Sequence, residues 1–204
     1  MQSMPAGRKD EPAMARAERA SGPQIISQSD RNYPDLLIRR LGADAPKMIS
    51  IIGSPAPLSA PMTAFLCSKE TPGATILKAF DQAAAWRDAG RCVISGFHSP
   101  LEQQCLDILL RGKQPIVMAL ARGLGNLRLP ATQRKALDDG RLTIISPFPE
   151  TEKRATADLA RQRNRFVAAL ADEVVFAFIA PGGSLSRLAE ELAGWGVEAR
   201  QLHR

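Results

Sequence analysis

Cysteine, histidine and aromatic residues are all scarce in this chain of 204 residues. Cys67, Cys92 and Cys105 are widely spaced, and with only two histidines no cluster has the spacing of a metal site. We therefore expect no metal or other cofactor, and free, mostly buried thiols that suit the reducing cytoplasm. Aromatic residues make up 5% of the sequence, so surfaces on which nucleic-acid bases could stack are few.

Long apolar runs are also missing. No run approaches the roughly 18 residues of a membrane span, and the N-terminus lacks the apolar core of a signal peptide, so we expect a cytoplasmic protein without membrane contact.

Acidic residues are outnumbered by basic ones: 21 Asp and Glu against 27 Lys and Arg give a net charge of +6. This balance favours an anionic partner such as nucleic acid or a nucleotide. The alternative, that the charge serves no particular partner, stays open.

The chain divides by composition into a tail and one domain. Residues 1–30 are rich in Ala, Arg, Glu, Gln, Ser and Pro and show no sustained apolar period, so we expect a disordered basic tail. About 45% of the residues are apolar, which is enough for residues 31–204 to form a single domain with a sizeable core.

Apolar strands alternate with amphipathic helices along this domain. The predicted strands are Lys47–Ile52, Cys92–Gly96, Pro115–Leu120, Leu142–Ile145, Val174–Ile179 and Val197–Leu202. The main predicted helices are Ala74–Ala89, Pro100–Leu110, Pro130–Asp139 and Thr151–Leu170. Residues 55–73 contain four prolines, and we expect them to be irregular. The alternation predicts an α/β fold with a doubly wound, mainly parallel sheet and helices on both faces.

Four turns follow predicted strands: Gly53-Ser54, Ser95-Gly96-Phe97-His98, Ala121-Arg122-Gly123 and Pro181-Gly182-Gly183-Ser184. Right-handed crossovers would place all four at one edge of a parallel sheet. They offer backbone N–H groups, small hydroxyls and an arginine, which suits an anion-binding pocket. They offer no nucleophile beside a base, so we assign no catalytic residue.

Three further positions bear on this pocket. Arg163-Asn164-Arg165 could contact phosphates through guanidinium groups, or could lie on a salt-bridged surface. For His98 we favour a polar contact at the pocket rim over a role as general base or metal ligand. Glu102 could face the pocket, but a charge at the start of a helix is the preferred interpretation.

Several short motifs occur in a recognisable order. Tyr33-Pro34 precedes a leucine pair, Ile51-Ile52-Gly53-Ser54 ends one strand and Val93-Ile94-Ser95-Gly96 another, and Arg163–Leu170 reads RNRFVAAL. In these motifs the chain resembles the DprA/Smf family of DNA-processing proteins, within the Rossmann-like superfamily that also contains LOG-type hydrolases. Pro55 stands where the family usually has an arginine, so the chain resembles a short, divergent paralogue.

The resemblance implies a Rossmann-like domain that binds single-stranded DNA without catalysis, forms a homodimer and helps to load a recombinase. The residues expected to bind DNA phosphates are Gly53, Ser54, Ser95, Gly96, Phe97, His98, Arg122, Arg163, Asn164, Arg165, Gly182, Gly183 and Ser184. Two alternatives stay open. One is a LOG-like nucleotide N-glycosidase, for which Glu190 or Glu191 would supply the carboxylate beside the Pro-Gly-Gly turn. The other is a module that senses a small nucleotide.

Overall fold

The computed structural model describes residues 23–125 and 127–202, which form an α/β sandwich. The strands are β1 (Gln24–Ser27), β2 (Met48–Ile52), β3 (Met62–Leu66), β4 (Cys92–Ser95), β5 (Ile116–Ala119), β6 (Leu142–Ser146), β7 (Glu173–Phe176) and β8 (Glu198–Gln201). The α-helices are α1 (Asp35–Leu41), α2 (Gly73–Asp88), α3 (Pro100–Leu110), α4 (Ala131–Asp138), α5 (Ala157–Leu170) and α6 (Ser184–Trp195). None of these helices is long and apolar enough to cross a membrane.

All eight strands belong to one sheet, in the order β1-β2-β6-β5-β4-β3-β7-β8. The six strands from β6 to β8 run parallel to one another. At the other end of the sheet, β1 pairs with β2 and β2 with β6 in the antiparallel sense. The predicted fold class, a doubly wound and mainly parallel sheet, is therefore confirmed.

The central strands are buried on both sides because helices cover each face of the sheet. Every residue of β3 is buried. Phe65 packs with side chains of α2, α3 and α4 on one face, and its neighbour Leu66 packs with those of α1, α5 and α6 on the other. Successive strand residues point to opposite faces, so a strand covered twice must be apolar throughout.

Two strands lie where the sequence suggested none. β1 falls inside the segment 1–30 that was expected to be disordered, and residues 1–22 lie outside the described residues. Only Ile26 of β1 is buried, and a single inward-facing residue gives no alternation of apolar and polar residues that the sequence could reveal. β3 lies inside the supposedly irregular segment 55–73. Its flanking prolines, Pro61 and Pro72, precede and follow the strand rather than interrupt it, so the proline content misled the prediction.

The direction of β2 corrects a further expectation. A parallel crossover needs roughly a dozen residues or more, and the link between β2 and β3 spans only residues 53–61. The chain therefore leaves β2 at the edge where the parallel strands begin and enters β3 directly. As a result Gly53 and Ser54 lie at the amino edge of the parallel strands, and not with the other three turns.

The helix α5 begins later than predicted, at Ala157 rather than at Thr151. Thr156 is its N-cap and accepts a hydrogen bond from the Leu159 N–H at 3.2 Å. Residues 147–156 instead form a connection that crosses the carboxyl edge of the sheet before α5 starts. This placement brings Lys153 and Arg154 beside the turns that end the parallel strands.

Candidate functional site

A cavity with a volume of about 930 Å³ opens at the carboxyl edge of the parallel strands, and it is called the large cavity below. The chain builds β3, β4, β5 and β6 outward in one direction and then returns to place β7 on the other side of β3. Ligands of open α/β sheets bind where the strand order reverses in this way. The cavity extends over this point, since it is lined by residues 67–70 after β3 and by Ala180 and Gly183 after β7.

Hydrogen bonds across the reversal point hold the two loops together. The Ser68 N–H donates to the Phe178 carbonyl oxygen at 3.0 Å, and the Ala180 N–H donates to Ser68 Oγ at 2.9 Å. The two loops are thus joined by one hydrogen bond between backbone groups and one from the backbone to a serine hydroxyl.

Three helices begin at the cavity. The N-terminal residues of α3, α5 and α6 all line it, represented by Ser99, Ala157 and Ser184. The first N–H groups of a helix lack partners within the helix, and the aligned peptide dipoles give this end a partial positive charge. Three such ends around one cavity favour an anionic ligand.

Arg163 lies at the floor of the cavity, between the sheet and the loop after β4. It is only 4% exposed, and its Nη1 donates to the Ala119 carbonyl oxygen at 3.2 Å. A Cβ atom on Gly96 would lie 1.0 Å from Nη1. Glycine is therefore required at the end of β4 for the guanidinium group to occupy this place.

The charge of Arg163 is poorly compensated. Burial lowers its pKa from the ordinary arginine value, and the carboxylate of Glu102 acts in the opposite direction. Among the described residues no carboxylate forms a direct ion pair with this guanidinium group, and its Nε is buried without a hydrogen-bond partner. An unpaired cation in a buried position is costly, and a bound anion would relieve it.

Glu102 is buried as deeply as Arg163 and organises the opposite wall. Its Oε2 accepts hydrogen bonds from the His98 N–H at 2.8 Å and the Ser99 N–H at 3.1 Å, and Ser99 completes a capping box at the start of α3. The helix-start role predicted for Glu102 is confirmed. The sequence did not suggest the third contact, in which the Cys67 N–H donates to Oε1 at 3.0 Å and joins α3 to the end of β3.

Basic side chains surround the rim of the cavity. These are Lys69, Arg122, Lys153, Arg154 and Arg161, and the one exposed acid that accompanies them in the lining is Glu70. Lys69, Lys153 and Arg154 are exposed, whereas Arg161 forms an ion pair with Asp158 at 2.6 Å. Arg122 is a candidate from its turn alone, whereas Lys69, Lys153 and Arg154 give no such signal in the sequence, because their loops cannot be placed without the strand order.

The loop after β5 is held in place by hydrogen bonds to the connection between β6 and α5. The Leu124 N–H donates to Glu150 Oε1 at 3.0 Å, and the Gly123 N–H donates to the Glu152 carbonyl oxygen at 2.9 Å. Arg122 Nη1 donates back to the Gly123 carbonyl oxygen at 3.1 Å. Arg122 is therefore half-buried and oriented at the cavity, as its place after a strand indicated.

The remaining candidates on this edge occupy three different positions. His98, Asn164, Gly183 and Ser184 line the large cavity. Gly182 instead lines a neighbouring cavity of about 380 Å³ between α5 and α6, which Asn164, Gly183 and Ser184 share. Ser95 is fully buried below the site, where its Oγ accepts a hydrogen bond from the Phe97 N–H at 3.2 Å.

Phe97 does not offer a stacking surface. It is 5% exposed and packs in the core of the α2–α3 face, with a φ of 46° that is rare for a residue with a Cβ. Phe166, on α5, is also buried. Neither phenylalanine is therefore available to stack on a base.

Arg165 lies on the other flank of α5 and is already paired. Its Nε donates to Glu191 Oε1 at 2.6 Å and its Nη1 to Asp44 Oδ2 at 2.8 Å, and its guanidinium carbon is 5.9 Å from the centre of the Trp195 ring. The hydrogen bond with Glu191 is the main cause of its raised pKa. Of the two interpretations of Arg163-Asn164-Arg165, the salt-bridged surface thus describes Arg165, and the pocket describes Arg163.

Gly53 and Ser54 are separated from the cavity by the sheet. Gly53 has a φ of 94° and packs against the start of β6, where a Cβ would lie 2.8 Å from the Leu142 carbonyl oxygen. The Ser54 carbonyl oxygen accepts a hydrogen bond from Thr143 Oγ1 at 2.7 Å. Their expected position in the pocket is wrong, because β2 is antiparallel to β6 and ends at the opposite edge.

The carboxylates considered for hydrolysis are not in the large cavity. Glu190 is exposed on α6 and does not line it, and Glu191 is paired with Arg165. Across residues 23–125 and 127–202, no three His, Cys, Asp or Glu side chains lie close enough to hold a metal ion. What the site offers is positive charge and hydrogen-bond donors, which suit an anionic group.

The three thiols are buried and free. Burial is the main cause of their raised pKa values, about 11 for Cys67 and Cys92 and about 12 for Cys105. Thiols with such pKa values are poor nucleophiles at neutral pH, so Cys67 contributes its shape to the cavity wall and not its reactivity.

Residues 24–189 match the family of DNA recombination-mediator protein A. The chain belongs to this family. No match was found among curated proteins. The family assignment agrees with the resemblance recognised in the sequence motifs, and the matched range includes β1, which the sequence analysis had left in the tail.

Two solved structures share the fold of this member of the DNA recombination-mediator protein A family. DNA processing protein A (DprA) from Streptococcus pneumoniae has a TM-score of 0.74 at 17% identity, with 94% of this chain and 66% of that chain covered. DNA processing protein A from Helicobacter pylori, whose structure is described for its single-stranded DNA binding mode, has a TM-score of 0.68 at 16% identity, covering 88% and 80%. The chain thus spans slightly less than two thirds of the Streptococcus protein.

Proposed function

We propose that the chain is a non-catalytic DNA-processing protein that binds single-stranded DNA at the cavity on the carboxyl edge of its sheet. The observation that carries the proposal is the convergence of three helix N-termini and a ring of basic side chains on one cavity. Membership of the DNA recombination-mediator family, and the single-stranded DNA binding described for the Helicobacter pylori protein, support this choice among anionic ligands.

The basic rim would supply the affinity for a strand. Lys69, Lys153 and Arg154 are exposed and line the same cavity. None of them forms an ion pair with a described residue, so they can contact phosphates without first breaking one. Binding of this kind releases counterions and weakens as salt increases. Since Phe97 and Phe166 are buried, stacking contributes little, and we expect weak dependence on base sequence.

The test is fluorescence anisotropy of a labelled single-stranded oligonucleotide, titrated with the full chain at several salt concentrations. We expect the double variant Lys153→Ala, Arg154→Ala to bind more weakly and to lower the slope of log affinity against log salt by roughly 0.7 for each lost phosphate contact. The matched control is Arg111→Ala, Lys113→Ala. It removes the same charges from exposed positions at the opposite edge of the sheet, where α3 ends.

Equal weakening in both double variants would show that affinity follows net charge and not the cavity, and would refute the proposed site. Absence of binding at low salt would refute the proposed function.

We include three finer properties in the proposal. The first is a homodimer, which light scattering tests, and the second is delivery of DNA to a recombinase, which a pull-down with purified recombinase tests. The third is residence in the cytoplasm, which suits three free thiols.

A further inference from the structure

The floor of the cavity differs from its rim because it holds a buried cation, Arg163, whose hydrogen-bond donors are only partly used. A guanidinium group has five N–H donors. Arg163 spends one on the Ala119 carbonyl oxygen, and its Nε is buried without a partner. Around the rim, by contrast, the lysines and arginines are exposed or paired and need no ligand to satisfy them.

Arg163 contacts the protein through Gly96 and Ala119 and also lines the cavity. Gly96 packs so closely that a Cβ would displace the guanidinium group, and the carbonyl of β5 lies on another side. Glu102 interacts with Arg163 through its charge, but its oxygens are occupied by the N–H groups of Cys67, His98 and Ser99. An anion that enters the cavity would meet donors that the protein itself has not satisfied.

The kind of phosphate that suits this floor follows from its chemistry. A phosphate within a strand carries one negative charge and is bonded to a sugar on each side, so the strand must pass through the site. A terminal phosphate monoester carries about −1.5 to −2 charges at neutral pH and has three free oxygens. A terminal monoester can therefore reach the floor of the cavity while its nucleoside points toward the rim.

We propose that Arg163, beside Gly96, binds a terminal phosphate monoester, either at the end of a DNA strand or on a free nucleoside monophosphate. The strand-end form rests on the proposed function, whereas the monophosphate form does not. The volume of about 930 Å³ lies in the range of roughly 300–1,000 Å³ that is typical of small-ligand sites, so one terminal nucleotide fits while the rest of a strand follows the basic rim.

The first arm of the test uses the wild-type chain and internally labelled oligonucleotides of one sequence. One carries a 5′-phosphate, one a 3′-phosphate and one hydroxyl groups at both ends. We expect at least tenfold tighter binding for one of the phosphorylated forms than for the form without a terminal phosphate. Calorimetry with a nucleoside monophosphate and with the matching nucleoside forms the second arm, and we expect heat of binding for the monophosphate alone.

The third arm locates the effect with two glycine substitutions. Gly96→Ala places a Cβ against the end of the Arg163 side chain and should abolish the tenfold advantage of the phosphorylated oligonucleotide. Gly112→Ala is the matched control, since its Cβ would also crowd a polar side chain, Gln114 Oε1 at 2.1 Å, but at the opposite edge of the sheet. It should retain the advantage.

The outcomes separate this inference from the proposed function. Equal affinity for oligonucleotides with and without a terminal phosphate, together with no heat from the monophosphate, overturns the inference and leaves strand binding intact. Binding of the monophosphate without any binding of oligonucleotides supports the floor site and overturns the proposed function. An advantage that survives Gly96→Ala while the chain remains folded places the monoester elsewhere and overturns the assignment to Arg163.

Discussion

The two flanks of α5 carry the same kind of side chain in opposite situations. Arg163 faces the cavity with no direct ion pair to a described residue and with an unused donor, whereas Arg165 faces α6 with two carboxylates and an aromatic ring around it. Because i and i+2 positions point to different sides of a helix, one short motif supplies both a residue of the cavity and a contact between α5 and α6. The number of arginines in a motif therefore says less about binding than the partners each one already has.

The largest expected effect is on stability, and it comes from Glu102, the residue that holds the cavity wall opposite Arg163. In Glu102→Gln, an amide replaces a buried carboxylate that accepts three backbone N–H hydrogen bonds and provides the nearest negative charge. We expect the free energy of unfolding to fall by roughly 2–4 kcal/mol. Urea denaturation followed by circular dichroism measures it, and a loss below about 1 kcal/mol would show that the wall does not depend on the carboxylate.

The second effect is on affinity. Arg163→Met removes the buried charge while keeping an unbranched side chain, and we expect binding of a 5′- or 3′-phosphorylated oligonucleotide to weaken by about 10- to 100-fold, since charge-assisted hydrogen bonds contribute roughly 1.5–3 kcal/mol each. Anisotropy measures the affinity, and a thermal melt confirms that the variant is folded. Unchanged affinity in a folded variant would contradict the cavity-facing role of Arg163.

The smallest effect should come from the paired arginine. Arg165→Met removes two partly exposed ion pairs and one cation–π contact, so we expect a loss of about 1 kcal/mol in the free energy of unfolding. Oligonucleotide affinity should stay within twofold of the wild-type value. A fall in affinity as large as that of Arg163→Met would show that the two flanks act together and would remove the distinction drawn above.

The sequence was sufficient for the fold because the central strands and their helices each carry a clear periodicity. The strands β4 to β8 and the main helices were predicted within a few residues of their observed bounds, apart from the start of α5. The short edge strand β1 escaped detection because it buries only Ile26. The strand β3 was missed because its flanking prolines resembled those of a loop.

The candidate site was predicted less completely, for two physical reasons. The direction of a strand is not encoded in its own apolar pattern, so Gly53 and Ser54 were assigned to the wrong edge. Burial likewise depends on contacts between distant segments, such as that of Arg163 with Ala119 and Gly96, or of Glu102 with Cys67. Lys153 and Arg154 became part of the rim only through the route of the connection from β6 to α5. Turn composition alone did identify His98, Arg122 and the Gly183-Ser184 turn.

The antiparallel end of the sheet also offers positions for labelling. No residue of β1 or β2 lines the large cavity, and the exposed side chains of Ile25 and Met48 lie on these two strands, at the end of the sheet beyond β6. A fluorophore or surface tether attached there through an introduced cysteine would be carried by strands that build no part of the cavity, and the buried native thiols would not compete for the reagent. Immobilised in this way, single molecules could be observed without modifying any residue of the cavity.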